Sequence, residues 1–331
     1  MAWSALLARM IGTIPIFRIA ASVFSFAIIT RARARHARRS RIARNLPTIT
    51  KFPWRSMSFQ TKCPIDGPGV YPIVKRGRDL KYLSFQVVEL GGELRDFTTE
   101  SGDEELAVDF YSGAVRVEVS SSSGHLTAET RSRASIKEPG EMLYVPRDAT
   151  LTLTLLDGSA RVSIAGAEGK PGVAPRIVAR EQVETKPVGR ENWRRTLHTY
   201  IADNIDANHL IAGETVNDPG SWSSCPPHKH DANNPPSEVP MEEVYFFQVD
   251  PKEGFGFMRL YTDPADPRPA FDYSYAVEDG DTVIIPRGYH PVVAFPAYTL
   301  NYTWILAGEG RTYGAWADDP KYAWIKEAPT G

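Results

Sequence analysis

Two segments of the chain, 140 residues apart, follow one template. Glu138-Pro-Gly140-Glu-Met-Leu-Tyr-Val-Pro146-Arg147 reads closely like Glu278-Asp-Gly280-Asp-Thr-Val-Ile-Ile-Pro286-Arg287. In each copy a glycine turn leads into a short apolar run. A proline ends the run, because proline has no N–H to give a sheet ladder. Upstream of each copy an acid precedes another apolar run, Glu105-Leu-Ala-Val and Glu243-Val-Tyr-Phe. A repeat at this spacing points to a unit of about one small domain, used twice.

The texture between the repeats says what the unit is made of. Short apolar or alternating runs succeed one another, among them KYLSFQVVEL (81–90), VRVEVS (115–120), LTLTLL (151–156) and RVSIAG (161–166). After AGAEGKPGVAP (165–175) the pattern resumes with EEVYFFQV, GFGFMRLYTD, DTVIIP and YTLNYTWILAG. Gly, Pro, Asp and Ser separate the runs, and no long stretch carries a 3.6-residue period. These are the marks of an all-β chain. The expected fold is two tandem jelly-roll barrels, residues 57–175 and 176–331, behind a poorly structured N-terminal extension, residues 1–56.

That extension differs in charge from the rest. Residues 1–65 carry 12 Lys/Arg and no acid, so the remaining 26 Lys/Arg face all 40 acids in 66–331, a net of −14 for the main body. An acidic body argues against nucleic acid as a partner, since phosphate contacts need clustered cations. Residues 10–30 are apolar apart from Arg18, and RARARHARRSR follows. A weak membrane anchor, a targeting segment and an unstructured extension upstream of Met57 all fit this pattern. Two cysteines, Cys63 and Cys225, make no disulfide framework, and a cytoplasmic location is expected.

Three of the seven histidines fall where a metal site would use them. His228 and His230, two residues apart on a strand, face the same side. Glu243 opens the strand EVYFFQV, and His290 follows DTVIIPRGY. Three imidazoles and a carboxylate suit one divalent ion, zinc first, with manganese or iron(II) as alternatives.

The spacing of HxH, a downstream Glu, and Gly-x5-Pro-x-Gly-x-His resembles the cupin superfamily, which implies a bicupin. The first half has Thr98 and Thr99 in place of HxH and Thr150 in place of the last histidine, so it resembles a cupin without its metal. Within that superfamily, SWSSCPPHKHD (221–231), MEEVYFF (241–247), AVEDGDTVIIPRGYHPV (276–292) and DDPKYAWI (318–325) resemble the 5-deoxy-glucuronate isomerase family of inositol catabolism. The resemblance runs from about 57 to 327. It departs from the family at Tyr245-Phe246-Phe247, at Met258 and at Asn301–Trp304, which touches the choice of sugar acid rather than the fold.

What the resemblance implies is an aldose–ketose isomerase, interconverting 5-deoxy-glucuronate and 5-dehydro-2-deoxy-gluconate, with a uronate-type sugar acid as its small-molecule partner. The metal would polarise the carbonyl. Tyr261, Tyr289 and Lys229 are the candidate proton carriers, because Glu242 should point away from the face that carries Glu243. Arg259 and Arg287 are the candidate cations for the substrate carboxylate. Trp222, Trp304, Trp316 and Trp324 are expected in packing, and Cys225 is expected idle. Exposed sheet edges make a homo-oligomer plausible. An iron(II)-dependent dioxygenase and a non-catalytic sugar-binding cupin are the alternatives.

Overall fold

The structure, a computed structural model, describes residues 58–62 and 65–328. The expectations for the extension, residues 1–56, and for Cys63 lie outside the described residues. Among the described residues, regular structure is strand, with three short 3₁₀ turns and no α-helix. No helix there is long and apolar enough to cross a membrane.

Residues 69–178 form one eight-stranded sheet. Its path runs Gly69–Val74, Ser84–Leu90, Ala149–Glu168, Glu104–Ser121, Met142–Val145, Arg176–Val178, with Asp96–Glu100 and Gly124–Glu129 added at the sides. Two long strands, Glu104–Ser121 of 18 residues and Ala149–Glu168 of 20, run through it. Their ladder slips between Phe110 and Val115, which bends both strands so that one sheet folds over its own core. Gly113 sits in that bend at φ +79, where a Cβ would meet the Ser159 carbonyl oxygen at 2.3 Å. Val88, Leu106, Val108, Val117, Leu151 and Leu153 fill the space inside.

Residues 184–308, with Gln60–Thr61 added at one edge, form a seven-stranded sheet in the order Gln60–Thr61, Thr282–Ile285, Met241–Asp250, Thr299–Gly308, Ile211–Asn217, Arg195–Ile201, Glu184–Val188. A four-stranded sheet of Trp222–Ser223, Val292–Ala294, Phe255–Tyr261 and Asp272–Glu278 accompanies it. Strand alternation gives the larger sheet two different faces. Ala212, Val244, Phe246 and Ile305 pack on Phe85, Val87, Tyr111 and Tyr144 of the first sheet. Tyr245, Phe247, Leu300 and Tyr302 pack toward Met258, Leu260 and Val277 of the smaller sheet. Thr299–Gly308 is therefore buried along its whole length, which is why TLNYTWILAG reads as nearly continuous apolar sequence. Each fully buried aromatic or aliphatic side chain in these layers contributes about 1.5–3 kcal/mol.

The repeat is visible in the ladders, and it corrects one sequence assignment. Val145 pairs with Leu106, and Ile285 pairs with Glu243. On the other side Gly166 pairs with Leu106, and Leu306 with Glu243. The residue standing where Glu243 stands is thus Leu106, and Glu105 corresponds to Glu242. The upstream strand is offset by three residues fewer than the Gly-x5-Pro segment, so lining up the acids by eye misplaces them by one. Glu105 accepts the backbone N–H groups of Asn208, His209 and Leu210 at 2.7, 2.7 and 2.9 Å and the Tyr144 hydroxyl at 2.9 Å. Glu242 accepts those of Lys81 and Tyr82 at 3.0 and 2.8 Å. Each acid clasps the other half's loop, just ahead of the strands Ile211–Asn217 and Ser84–Leu90.

Candidate metal centre

His228 and Lys229 form a two-residue strand paired with Ala317–Asp318. Alternation turns Lys229 away from the histidines, where its ammonium meets Asp231 and Glu238 at 2.8 and 2.9 Å. Glu238 also accepts the N–H groups of Asp231 and Ala232. These contacts close the long polar excursion after His230 onto itself. At its base, Met241 donates its N–H to the His230 carbonyl at 2.9 Å, and His230 Nδ1 contacts the Met241 carbonyl at 2.8 Å. The twelve intervening residues thereby still deliver Glu243 beside His230.

His290 is placed by a turn that requires glycine. Gly288 has φ +96, and a Cβ there would come within 2.6 Å of the Tyr261 carbonyl oxygen. Its N–H donates to Asp231 Oδ2 at 2.8 Å, and its carbonyl receives His290 Nδ1 at 2.8 Å.

His230, Glu243 and His290 offer ligand atoms that all lie within 4.8 Å of one another, and all three are buried. Glu243 Oε2 is 3.1 Å from His230 Nε2 and 3.4 Å from His290 Nε2. A carbonyl oxygen only accepts, so both Nδ1 atoms carry their protons and each ring turns Nε2 inward, a lone pair whenever that ring is neutral. His290 Nε2 is buried with no hydrogen-bond partner. Lone pairs and a carboxylate converging this closely fit a divalent cation, and the Nδ1–H···O=C contacts are the outer supports that metal-ligating histidines use. Burial lowers the His290 pKa to about 4, keeping the ring neutral. For His230, burial disfavours charge, but the hydrogen bond and charge of Glu243 outweigh it and raise the pKa. Burial, then His290 and His230, hold His228 well below the ordinary imidazole value. The His228 ring stands edge-on to His290 with centroids 4.8 Å apart and lies 6.3 Å from His230, at the rim of the compact trio.

The cluster opens into a cavity of about 620 Å³, counted with its mouth. Its wall includes His228, His230, Glu243, Arg195, Tyr245, Tyr302, Trp304, Tyr313 and Trp316. Trp304 and Trp316 thus border the cavity rather than serving only as packing, whereas Trp222 and Trp324 are 41% and 62% exposed. Cys225 lies outside the cavity wall, burial pushing its thiol up.

The five residues expected to do the proton transfer and bind the carboxylate are not brought to this cavity. Tyr261 donates its hydroxyl to Asp319 Oδ2 at 2.7 Å, and Tyr289 donates to Asp263 Oδ2 at 3.1 Å. Lys229 is held by Asp231 and Glu238, as above. Arg259 makes a bidentate pair with Asp272 at 2.8 and 2.7 Å on the exposed face of its strand, because Met258 and Leu260 take the inward positions. Arg287 pairs with Asp266. The cation that does line the cavity, Arg195, was missed. The signal for it was strand parity, since Arg195 and Leu197 share a face of Arg195–Ile201 and both reach the cavity.

A bent β-sheet body with a histidine–glutamate trio beside a cavity is a cupin-like arrangement with a candidate metal centre. The fold is shared with a Mn(II)-containing oxalate decarboxylase of Bacillus subtilis, at TM-score 0.50 and 12% identity over 72% of this chain and 71% of that one. It is shared more fully with an IolB-like protein of Salmonella typhimurium, at TM-score 0.73 and 24% identity over 81% of this chain and 98% of that one. The family model described as KduI/IolB matches residues 63–325, and the chain belongs to that family. One relative, the 5-deoxy-glucuronate isomerase of Bacillus subtilis subsp. natto, is 31% identical over 259 residues, 78% of this chain and 93% of its own length.

Proposed function

We propose that this protein is a metal-dependent aldose–ketose isomerase, interconverting 5-deoxy-glucuronate and 5-dehydro-2-deoxy-gluconate in myo-inositol catabolism. One observation of the molecule itself carries the reading. The partnerless Nε2 of buried His290 converges with His230 and Glu243, and those two residues border a cavity. The isomerase relatives supply the substrate.

In this reading His230, Glu243 and His290, with His228 beside them, hold one divalent ion, zinc first and manganese or iron(II) as alternatives. Bound there, the ion supplies Lewis-acid polarisation of the substrate carbonyl. The protein supplies everything else. Nδ1–H contacts from His230 and His290 to the Met241 and Gly288 carbonyls fix the ring planes. Tyr245, Tyr302 and Trp304 wall off bulk water. With Tyr261, Tyr289 and Lys229 engaged elsewhere, the hydroxyls bordering the cavity that are candidate proton carriers are those of Tyr245, Tyr313, Thr215 and Ser224, while the Tyr302 phenol beside them donates to Ser223 Oγ at 2.8 Å.

The fold belongs to the same proposal. Two jelly-roll barrels, 57–175 and 176–331, form a bicupin whose first half has Leu106 at the position of the ligand Glu243. The matched ladder registers support this, although Gln60–Thr61 pairs into the second half's sheet. A cytoplasmic homo-oligomer completes the reading. The test is incubation of the purified, metal-analysed protein with 5-deoxy-glucuronate. Formation of the 2-deoxy-5-keto acid, abolished by chelation and restored by a divalent ion, is expected. Metal-bound protein that leaves the substrate unchanged would overturn the proposal.

A further inference from the structure

The cavity has one cationic side chain among the residues of its wall, and that side chain has no acid to balance it. Arg195 opens the strand Arg195–Ile201, opposite Asn217, on the face it shares with Leu197. Among the described residues, no carboxylate lies within 4 Å of its guanidinium. The contrast with Arg133, which the same sheet buries on its other face, is direct. Arg133 meets Glu214 at 2.8 Å through both terminal nitrogens. Arg195 instead donates one N–H to the Trp193 carbonyl at 3.3 Å and lies 5.8 Å from the Trp193 ring centroid. Burial lowers its pKa, and the groups that oppose this are the phenols of Tyr302 and Tyr245 and the Cys225 thiol rather than an acid. A guanidinium has five N–H donors in a planar fork. One is used here, leaving a half-buried fork beside the cavity with the geometry that carboxylates accept in pairs.

We infer that Arg195, braced by Trp193, anchors the carboxylate of the substrate while the sugar's carbonyl end lies at the histidine–glutamate trio. This rests on the isomerase reading and assigns to Arg195 the role that strand parity denies to Arg259. It makes the cavity selective for aldoses bearing an acid group over neutral aldoses of the same size, because the neutral sugar covers the half-buried cation without pairing it.

The experiment uses the zinc-loaded full chain and two probes of one shape, D-glucuronate and its neutral amide, D-glucuronamide, titrated by calorimetry. Wild type should bind the acid at least tenfold more tightly than the amide. Arg195→Met should lose about 100-fold for the acid, the size of a lost bidentate charge-assisted pair, and little for the amide. Arg195→Lys should recover part of the loss, and zinc content and melting temperature should stay at wild-type values in both. With 5-deoxy-glucuronate, Arg195→Met should raise KM by about the same factor and change kcat much less. Acid affinity in Arg195→Met within threefold of wild type, or a wild type that does not distinguish acid from amide, would overturn the inference. Absence of turnover in wild type would instead remove the isomerase reading, with the calorimetry still deciding the role of Arg195.

Discussion

Replacing Glu105 by Ala tests the mutual clasp between the halves, and its cost can be worked out donor by donor. The carboxylate accepts three backbone N–H groups and one phenol, all at 2.7–2.9 Å. Leu210 and Tyr144 are fully buried, so their donors find no water when the acceptor goes, at about 1–3 kcal/mol each. Asn208 and His209 are partly exposed and regain most of their bonding from solvent. With about 1 kcal/mol for lost side-chain packing, the expected loss is about 3–7 kcal/mol, a large part of the roughly 5–15 kcal/mol that holds a typical domain folded. For a protein of this size that lowers Tm by about 10 °C. Urea and thermal denaturation monitored by tryptophan fluorescence would measure it. Glu105→Gln, which keeps one acceptor oxygen and the shape, should cost about half as much. Because Leu106, not Glu105, stands at the ligand position, metal content per folded molecule should not change in either variant. A loss below about 1 kcal/mol, or loss of metal, would refute the register-based assignment.

Two further predictions concern buried polar groups. His290→Ala removes the partnerless Nε2 donor and should cut bound metal, measured by mass spectrometry of the purified protein, to a small fraction of wild type; full occupancy would mean the trio is not the site. Asp109 is buried beside Thr303, with Oδ1 unpartnered, and burial followed by the charge of Glu214 raises its pKa to about 7. The folded protein therefore holds a proton that the unfolded chain releases near pH 4, so this group's contribution to stability is full below pH 4 and is lost as pH rises through about 7. Asp109→Asn should flatten the fall in stability between pH 5 and 8, read from denaturation midpoints across that range, and an unchanged slope would contradict the assignment.

The clustering of His230, Glu243 and His290 was legible because metal-ligand chemistry restricts residue type and the scaffold restricts spacing, while His228, the first residue of HxH, stands at the rim. HxH on a strand, an acid opening the next long strand and Gly-x5-Pro ahead of the last histidine leave few arrangements. The all-β texture was legible for the same kind of reason, as runs of four to ten residues between turn formers. What failed was anything that depended on a one-residue register or on which face a side chain takes. Glu105 looked like the counterpart of Glu243 until the ladders aligned it with Glu242. Arg259 sat next to inward-facing Met258 and Leu260, and alternation alone sends it outside. Lys229, Tyr261 and Tyr289 were near the right residues in sequence, but acids from the loops, Asp231, Glu238, Asp319 and Asp263, hold them away. Arg195 lies 33 residues before the HxH motif, and only the closing of the sheet brings it to the cavity.

The most direct test of the central claim is turnover by zinc-loaded protein under nitrogen, with the product analysed by mass spectrometry in ordinary and heavy water. Zinc has no redox chemistry, so a Lewis-acid isomerase should work without oxygen and give a product of the same mass as the substrate. In heavy water, proton transfer through cavity hydroxyls should leave deuterium on the carbon that receives hydrogen. Activity that appears only with iron and oxygen, with a product heavier than the substrate, would contradict the account and make the trio an oxygen-activating site.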